Sequence, residues 1–285
     1  MIRKTTLPAG LIFVATPIGA ARDITLRALD TLASADIIAA EDTRTLRKLI
    51  EIHGISLGDR PLIAYHDHSG PNVVDRLVGE IAHGQSVAYA SEAGTPLVSD
   101  PGFELARAVA DAGFDVTSAP GPSAMIMALT VAGLPSDQFH FAGFPPNARG
   151  ARQKFLTKLV DIDATLILYE SPKRLAACLN DCASVLGGDR KAAMCRELTK
   201  KFEEVARGTL TELAKRFSEA GVKGEIVLVI DRGVKKIADV NTLEASLREA
   251  LETMSIKDAS AHVAEMLQMP KRQVYQKALD LKDGG

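Results

Sequence analysis

The chain has 285 residues, which is enough for two domains and a small appendage. Its composition, 46% hydrophobic and 25% charged, excludes a disordered chain, and no apolar run approaches the ~20 residues that would span a membrane, so we expect a cytoplasmic globular protein. The formal net charge of -2 excludes a protein that wraps nucleic acid with its whole surface.

Apolar runs and helical patterns alternate in the first part of the chain. The runs predicted to be strands are 11–15, 37–40, 62–64, 87–90 and 116–118. Between them, apolar residues recur with helical spacing, for example after a plausible Asp23 cap and after Pro71. This alternation predicts a doubly wound parallel α/β domain over residues 1–120.

A joint of proline and glycine at residues 119–122 separates this series from a second one. An apolar helix is predicted directly after it, over 123–132. Further strands are predicted at 166–169, 192–195 and 226–230, and helices near 173–186 and 209–220. These elements predict a second α/β domain over residues 121–232, with its strand order left open.

The remaining residues, 233–285, predict a small helical domain. A polar linker at 231–242 precedes helical patterns at 243–254, 257–267 and 271–281, and Pro270 can start the last because proline fits a first helical turn. The spacing resembles a helix-turn-helix. A three-helix packing or dimerisation module fits equally well, because the positive residues are offset by acidic ones.

The three cysteines are predicted to be buried thiols. Cys178, Cys182 and Cys195 are an odd number. No histidine lies near enough to Cys178 and Cys182 to complete a familiar zinc spacing.

Loops that follow the predicted strands are the places to seek a ligand, because parallel α/β sheets bind ligands at the carboxyl ends of their strands. Four stand out, at residues 16–19, 41–44, 91–102 and 120–124. The first lacks the glycine patterns of a dinucleotide fold and of a P-loop. In the second, Asp42 or Thr43 could simply cap a helix.

The loop at residues 91–102 is the strongest of the four. It contains Gly94 and Gly102, which allow close backbone approach, and Glu92 and Asp100, whose carboxylates can hold ribose hydroxyls. The free amides of the helix that opens near Ser123 could meet the same ligand. Together these features predict a nucleotide-like ligand, with a long ligand-free turn as the alternative.

Ordered sequence strings carry a resemblance over residues 10–230. They are VATPIG from Val14, DITLRAL from Asp23, AAEDTRT from Ala39, SEAGTPLVSDPG from Ser91, APGPSA from Ala119, FAGFPP from Phe141, YESPKR from Tyr169, CRELTKKFEE from Cys195 and KGEIVLVI from Lys223. The chain resembles the tetrapyrrole methylase superfamily of class III S-adenosylmethionine (SAM) methyltransferases, in its ribosomal RNA small-subunit methyltransferase I branch. It departs from the usual pattern at Ala20, Glu92, Lys173 and Cys195.

The resemblance implies a homodimer that binds SAM, without a metal, in a cleft between two α/β domains. It implies transfer of a methyl group to the ribose 2′-hydroxyl of a cytidine in the decoding region of 16S ribosomal RNA. The residues implied to contact the donor are Pro17, Ile18, Gly19, Glu92, Gly94, Thr95, Ser123, Ala124, Tyr169 and Gly224, together with the region of Glu197.

A ribose hydroxyl is a poor nucleophile while protonated, so a base or a charge that favours the alkoxide should help. Glu170, Glu197 and Lys200 are the candidates, and structural ion pairs are the alternative for all three.

Basic residues are predicted to contact RNA phosphates. The segment 147–158, expected to be an exposed loop, carries Arg149, Arg152, Lys154 and Lys158 and no acid, with a solvated helix face as the alternative. The residues that could extend this strip are Arg22, Arg44, Arg174, Arg196, Lys200 and Lys201.

Two other functions compete with this hypothesis. One is a methylase of a tetrapyrrole-like small molecule, which would share the donor site. The other is a DNA-binding regulator that works through the C-terminal helices.

Overall fold

A computed structural model describes residues 2–66, 69–218, 221–233, 240–267 and 269–283. It divides into two compact units, Met1–Gly233 and Val234–Gly285. None of the described helices is both long and apolar enough to cross a membrane.

The first sheet confirms the predicted parallel α/β layer. Its strands are β1 (Gly10–Val14), β2 (Ile37–Ala40), β3 (Leu62–Ala64), β4 (Ser86–Ala90) and β5 (Val116–Ala119). They run in the order β3-β2-β4-β1-β5, and all neighbours are parallel. The central strands β1, β2 and β4 are buried almost throughout, because a parallel sheet is covered on both faces.

Helices cover both faces of this sheet. They are α1 (Leu26–Ser34), α2 (Thr43–Ile52), α3 (Pro71–Ala82) and α4 (Phe103–Asp111). Leu29 and Leu32 of α1 pack with Ile50 of α2 on one face. Leu77 of α3 and Leu105 of α4 pack on the other, so the sheet is doubly wound.

The observed helix caps match the sequence-based prediction for one helix and differ from it for another. Asp42 caps α2 as predicted, since its Oδ1 accepts from Arg44 N at 2.8 Å. The prediction that Asp23 caps α1 was wrong. Asp23 ends a short 3-10 turn, and the Thr25 hydroxyl caps α1 by accepting from Ala28 N at 3.2 Å.

The second sheet is mixed and larger than the sequence indicated. Its strands are β6 (Phe139–Gly143), β7 (Thr165–Glu170), β8 (Lys191–Arg196), β9 (Glu204–Thr209) and β10 (Ile226–Ile230), in the order β6-β7-β10-β8-β9. Only β6 and β7 are parallel to each other. The edge strands β6 and β9 were not predicted, because they are only partly covered and polar residues such as His140, Glu204 and Arg207 interrupt any apolar run.

Helices also sandwich the second sheet. They are α5 (Ala124–Ala132), α6 (Arg149–Thr157), α7 (Leu175–Leu186) and α8 (Leu210–Arg216). Leu129 of α5 packs on one face. Leu156 of α6, Leu179 of α7 and Leu213 of α8 pack on the other. The joint at 119–122 therefore links β5 of the first sheet to a helix that covers the second.

The three cysteines are buried, as predicted, and none forms a disulfide. Cys178 and Cys182 lie one turn apart on α7 with their Sγ atoms 4.0 Å apart. Burial raises the pKa of Cys195 to about 11, so this thiol stays protonated at neutral pH.

The second unit consists of α9 (Val240–Leu251), α10 (Ile256–Met266) and α11 (Lys271–Asp283), close to the predicted helices. Leu247, Val263 and Val274 form its core, one from each helix. Ser255 caps α10 by accepting from Asp258 N at 3.2 Å.

Candidate functional site

A cavity of about 440 Å³ opens at the carboxyl ends of the central parallel strands. Loops that follow β1, β4 and β5 form one wall, and the adjoining ends of β7, β8 and β10 form the other. Parallel α/β sheets bind their ligands at this end. Most residues predicted to contact the methyl donor line the cavity: Ile18, Glu92, Gly94, Thr95, Ser123, Ala124, Tyr169 and Gly224.

Three of the predicted loops are hydrogen-bonded to one another. Thr16 and Gly94 exchange two backbone hydrogen bonds, of 2.9 and 3.0 Å, which join the loop after β1 to the loop after β4. The Thr95 hydroxyl donates to the Pro122 carbonyl at 2.8 Å and so adds the loop after β5. Gly94 has a φ of +86°, which favours glycine, and a Cβ there would lie 3.3 Å from Ile18 Cγ2. The backbone is therefore fixed around the cavity.

Pro17 and Gly19, also predicted to contact the donor, do not line the cavity. Gly19 instead packs against the turn that follows β8. A Cβ on Gly19 would lie 2.5 Å from Lys200 Cγ and 2.6 Å from Thr199 Oγ1. The Thr199 hydroxyl also accepts from Ala20 N at 3.0 Å. Glycine is needed here so that two loops can approach each other closely.

Acidic side chains surround the cavity. Glu41, Glu92, Asp100, Glu170 and Glu225 line it, and none of the lining residues in the described ranges is lysine or arginine. This concentration of negative charge favours a ligand that carries positive charge.

Glu41 is a lining residue that the sequence placed in a candidate loop but did not assign to the site. Its Oε2 accepts from the backbone N–H of Glu92 at 3.0 Å, so it ties the end of β2 to the loop after β4. Its place directly after a buried strand was the available signal.

Two of the three candidate bases belong to one ion cluster. Lys200 Nζ lies 3.0 Å from Glu197 Oε1 and 2.8 Å from Glu225 Oε2. A hydrogen bond from Glu225 N, together with Lys200, lowers the pKa of Glu197. Partial burial alone would lower the pKa of Lys200, but hydrogen bonds to Glu225 and Glu197 raise it. Glu197 is therefore ionised and Lys200 protonated at neutral pH.

The third candidate, Glu170, is buried at the end of β7. Its Oε1 accepts from Ser171 N at 2.8 Å, and its Oε2 accepts from Arg174 Nη2 at 3.2 Å. All three candidates are thus in ion pairs, but Glu170 also lines the cavity, whereas Glu197 and Lys200 do not.

Apart from Arg152, the residues predicted to bind RNA fall into two groups. Those with exposed side chains are Arg22, Arg44, Arg149 and Lys154, of which Arg44 lies 3.5 Å from Asp42 Oδ1 and Arg149 lies 3.4 Å from Asp181 Oδ1. Arg174 and Arg196 are partly covered, and each forms an ion pair, with Glu170 and with Glu204. The segment expected to be an exposed loop is instead helical from Arg149 to Thr157, as α6.

The prediction that Arg152 contacts RNA was wrong. Arg152 is buried, and its Nη2 lies 2.6 Å from Asp181 Oδ2. It also donates from Nη1 to the Asn147 carbonyl at 2.8 Å. A side chain committed to buried partners in this way cannot reach a phosphate.

Aromatic residues lie at one side of the cavity. Tyr169 lines it, and burial raises the pKa of its hydroxyl. The ring of Tyr169 makes edge contacts with Phe141 and Phe144, at centroid distances of 4.9 and 5.4 Å. Phe144 also lines the cavity and is 57% exposed. The sequence did not indicate Phe144 as a site residue, although it lies within the FAGFPP string.

Family models match both parts of the chain. Residues 10–214 match the model described as Tetrapyrrole (Corrin/Porphyrin) Methylases. Residues 238–282 match the model described as RsmI C-terminal HTH domain, which favours the helix-turn-helix alternative for the C-terminal helices.

Solved structures of methyltransferases share the fold. A cobalt precorrin-4 methyltransferase of cobalamin biosynthesis is 17% identical, with a TM-score of 0.59 over 78% of this chain and 95% of its own. The uroporphyrin-III C-methyl transferase from Thermus thermophilus, solved with S-adenyl homocysteine, is 17% identical, with a TM-score of 0.52 over 77% of this chain and 96% of its own.

Curated relatives are much more similar in sequence. Ribosomal RNA small subunit methyltransferase I of Mesorhizobium japonicum is 45% identical over 99% of this chain and 97% of its own length. The enzyme of the same name from Mycobacterium tuberculosis strain CDC 1551 / Oshkosh is 44% identical over 89% of this chain and 88% of its own. As the sequence strings predicted, the chain belongs to the ribosomal RNA small subunit methyltransferase I family of tetrapyrrole methylase-type enzymes.

Proposed function

We propose that the chain transfers the methyl group of SAM to the ribose 2′-hydroxyl of a cytidine in the decoding region of 16S ribosomal RNA. The observation that carries this proposal is the acid-lined cavity at the meeting point of the three hydrogen-bonded loops. Full-length identity of 45% with a ribosomal RNA methyltransferase favours this substrate over a tetrapyrrole-like molecule or a DNA site.

The residues present fit SAM. The volume of about 440 Å³ lies within the range of small-molecule sites. Glu41, Glu92 and Asp100 complement the positive charges of a sulfonium and an ammonium group. The missing side chain at Gly94 lets a ligand approach the backbone.

The main task of the protein is to align the reacting atoms. When bound, SAM supplies an activated methyl group on a sulfonium, so no metal is needed in our proposal. Positioning of two reactants can contribute several kcal/mol to catalysis. The Thr16–Gly94 and Thr95–Pro122 hydrogen bonds hold the loops that would perform this alignment.

Among the candidate bases, we rank Glu170 first because it lines the cavity. Its side chain is fully buried against Ser171 and Arg174, so the carboxylate would have to leave these partners to accept the proton of the ribose hydroxyl as the oxygen attacks. Lys200 is held protonated and cannot accept a proton, so it would act through its charge and by holding Glu197 and Glu225 in place.

The RNA would be held outside the cavity. The exposed side chains of Arg22, Arg44, Arg149 and Lys154 provide local phosphate contacts on a chain that is nearly neutral. We further propose that residues 1–120 and 121–232 act as two domains around the donor, that residues 233–285 form the helical domain, and that the chain functions as a homodimer in the cytoplasm, where its substrate is found.

The test is methyl transfer from labelled SAM to small ribosomal subunits that lack their decoding-region modifications, followed by mass spectrometry of RNA fragments. We expect one ribose methylation on a decoding-region cytidine. The absence of any ribose methylation would refute the proposal. A variant that ends at Asp231 should still bind SAM. If the chain were instead a DNA-binding regulator, this truncation would abolish nucleic-acid binding, and the full-length chain would transfer no methyl group.

A further inference from the structure

Phe144 is an aromatic side chain that the fold leaves open at the edge of the cavity. It follows β6 directly, lines the cavity and is 57% exposed. Its contact with Tyr169 is a tilted edge contact, with an angle of 66° between the rings, so no parallel ring covers it there. The ring therefore offers an apolar surface beside the proposed methyl-transfer site.

The backbone on both sides of Phe144 is restrained. Gly143, with a φ of +70°, turns the chain at the end of β6, and Pro145 and Pro146 restrict the residues that follow. Arg174 donates to the Pro145 carbonyl. The backbone that carries the ring is thus held in place before any ligand arrives.

Charged side chains at the start of α7 and on α6 support this segment. Arg152 donates to the Asn147 carbonyl at 2.8 Å while it pairs with Asp181 on α7. Arg174 pairs with Glu170 at the end of β7. Two arginine side chains therefore fix the loop between β6 and α6. A loop held in place in this way is typical of a binding site rather than of a simple connection.

We propose that Phe144 stacks on the base of the nucleotide that is methylated. This inference rests on the proposed function. The base is attached to the sugar carbon next to the one that carries the 2′-hydroxyl, so a ribose that reaches into the cavity leaves its base at the edge, where Phe144 lies. Single-stranded RNA is commonly recognised by aromatic side chains that stack on unpaired bases.

The test compares Phe144→Ala, Phe144→Leu and Phe144→Tyr in full-length protein. Loss of one base-stacking contact should lower kcat/KM for small subunits about 10- to 100-fold in the Ala and Leu variants. The tyrosine ring keeps a stacking face, so that variant should retain the activity. Calorimetry should give an unchanged Kd for SAM in all three, because the ring acts on the RNA.

Phe139→Ala is the matched control. Phe139 is also an exposed phenylalanine of β6, 42% accessible, but it lies at the opposite end of the strand and does not line the cavity. We expect wild-type kcat/KM from this variant. Thermal unfolding of each variant should match the wild type, because neither ring is in the core.

Two results would overturn the inference. Wild-type kcat/KM in Phe144→Ala would show that the ring does not hold the base. A weaker Kd for SAM in the absence of RNA would assign the ring to the donor site instead. Failure of the proposed function is distinguishable, because the wild-type protein itself would then leave the subunits unmethylated.

Discussion

The backbone N–H of Glu92 donates to the carboxylate of Glu41 at 3.0 Å, which ties the loop after β4 to the end of β2. The side chain of Glu92 itself is exposed. The fixed element at this position is therefore the backbone of Glu92, held by Glu41.

We expect Glu41→Ala to weaken SAM binding about fivefold, because loss of one hydrogen-bond partner typically costs about 1 kcal/mol. Glu41→Gln keeps an oxygen that can accept from the Glu92 N–H, so it should bind SAM more tightly than the alanine variant. Calorimetric titration measures both. Equal losses would show that the charge of Glu41 matters and the hydrogen bond does not.

Gly94→Leu should abolish SAM binding. The residue has a φ of +86°, and its added side chain would meet Ile18 at the wall of the cavity. Gly113→Leu is the control, since Gly113 has a φ of +82° but open space around it. Both variants should lose some stability in thermal unfolding, and only Gly94→Leu should lose affinity. Unchanged affinity would remove this loop from the donor site.

Arg152→Met should destabilise the fold by about 3 kcal/mol, because it leaves the buried Asp181 without its main partner. Urea unfolding followed by circular dichroism measures the change. Arg44→Ala is the control, because this side chain is 92% exposed and should change stability by less than about 0.5 kcal/mol. A similar free energy of unfolding in both variants would contradict the structural role of Arg152.

The ion cluster around Glu197 should make stability depend on acid pH. The folded pKa of Glu197 lies below its ordinary value of 4.5, so its ionised form stabilises the fold above that pH. This contribution is lost as the pH falls through the folded pKa. Glu197→Gln should therefore be less stable than the wild type at pH 7, with a difference that shrinks toward pH 3. Urea unfolding across this range checks the prediction, and a constant difference would refute it.

The double variant Arg149→Ala with Lys154→Ala should weaken binding to small subunits and reduce the steepness of its salt dependence. Each phosphate contact that is lost removes about one released counterion. Lys191→Ala is the control, because this exposed lysine lies at the end of β8 opposite the cavity. Binding to small subunits is measured for both variants and the wild type over a series of salt concentrations. If the double variant has the same salt dependence as the wild type, α6 is excluded from the RNA interface.

The sequence predicted the buried parts of the fold better than its edges. The central strands β1, β2 and β4 of the first sheet follow from apolar runs, because they are covered on both faces. The edge strands β6 and β9 were missed because they are only partly covered and polar residues interrupt them.

The meeting of three candidate loops at one cavity could be predicted from the placement of glycines and acids after strands, reinforced by family resemblance. The structural role of Arg152 could not be predicted. A basic residue in a segment without acids indicates a phosphate contact, but its partner Asp181 lies on another helix, and only the fold brings the two together. Phe144 was missed for a related reason, since only the fold places its ring beside Tyr169 at the cavity.

The strand order of the second sheet has a consequence for synthesis of the protein. β10 is the last strand of the sequence, yet it lies between β7 and β8, and its first residues close one wall of the cavity. A nascent chain that has not yet exposed residue 230 lacks the centre of its second sheet. The cavity can therefore be completed only after nearly the whole first unit has left the ribosome, so a chain that stops earlier lacks one wall of the site proposed to bind SAM.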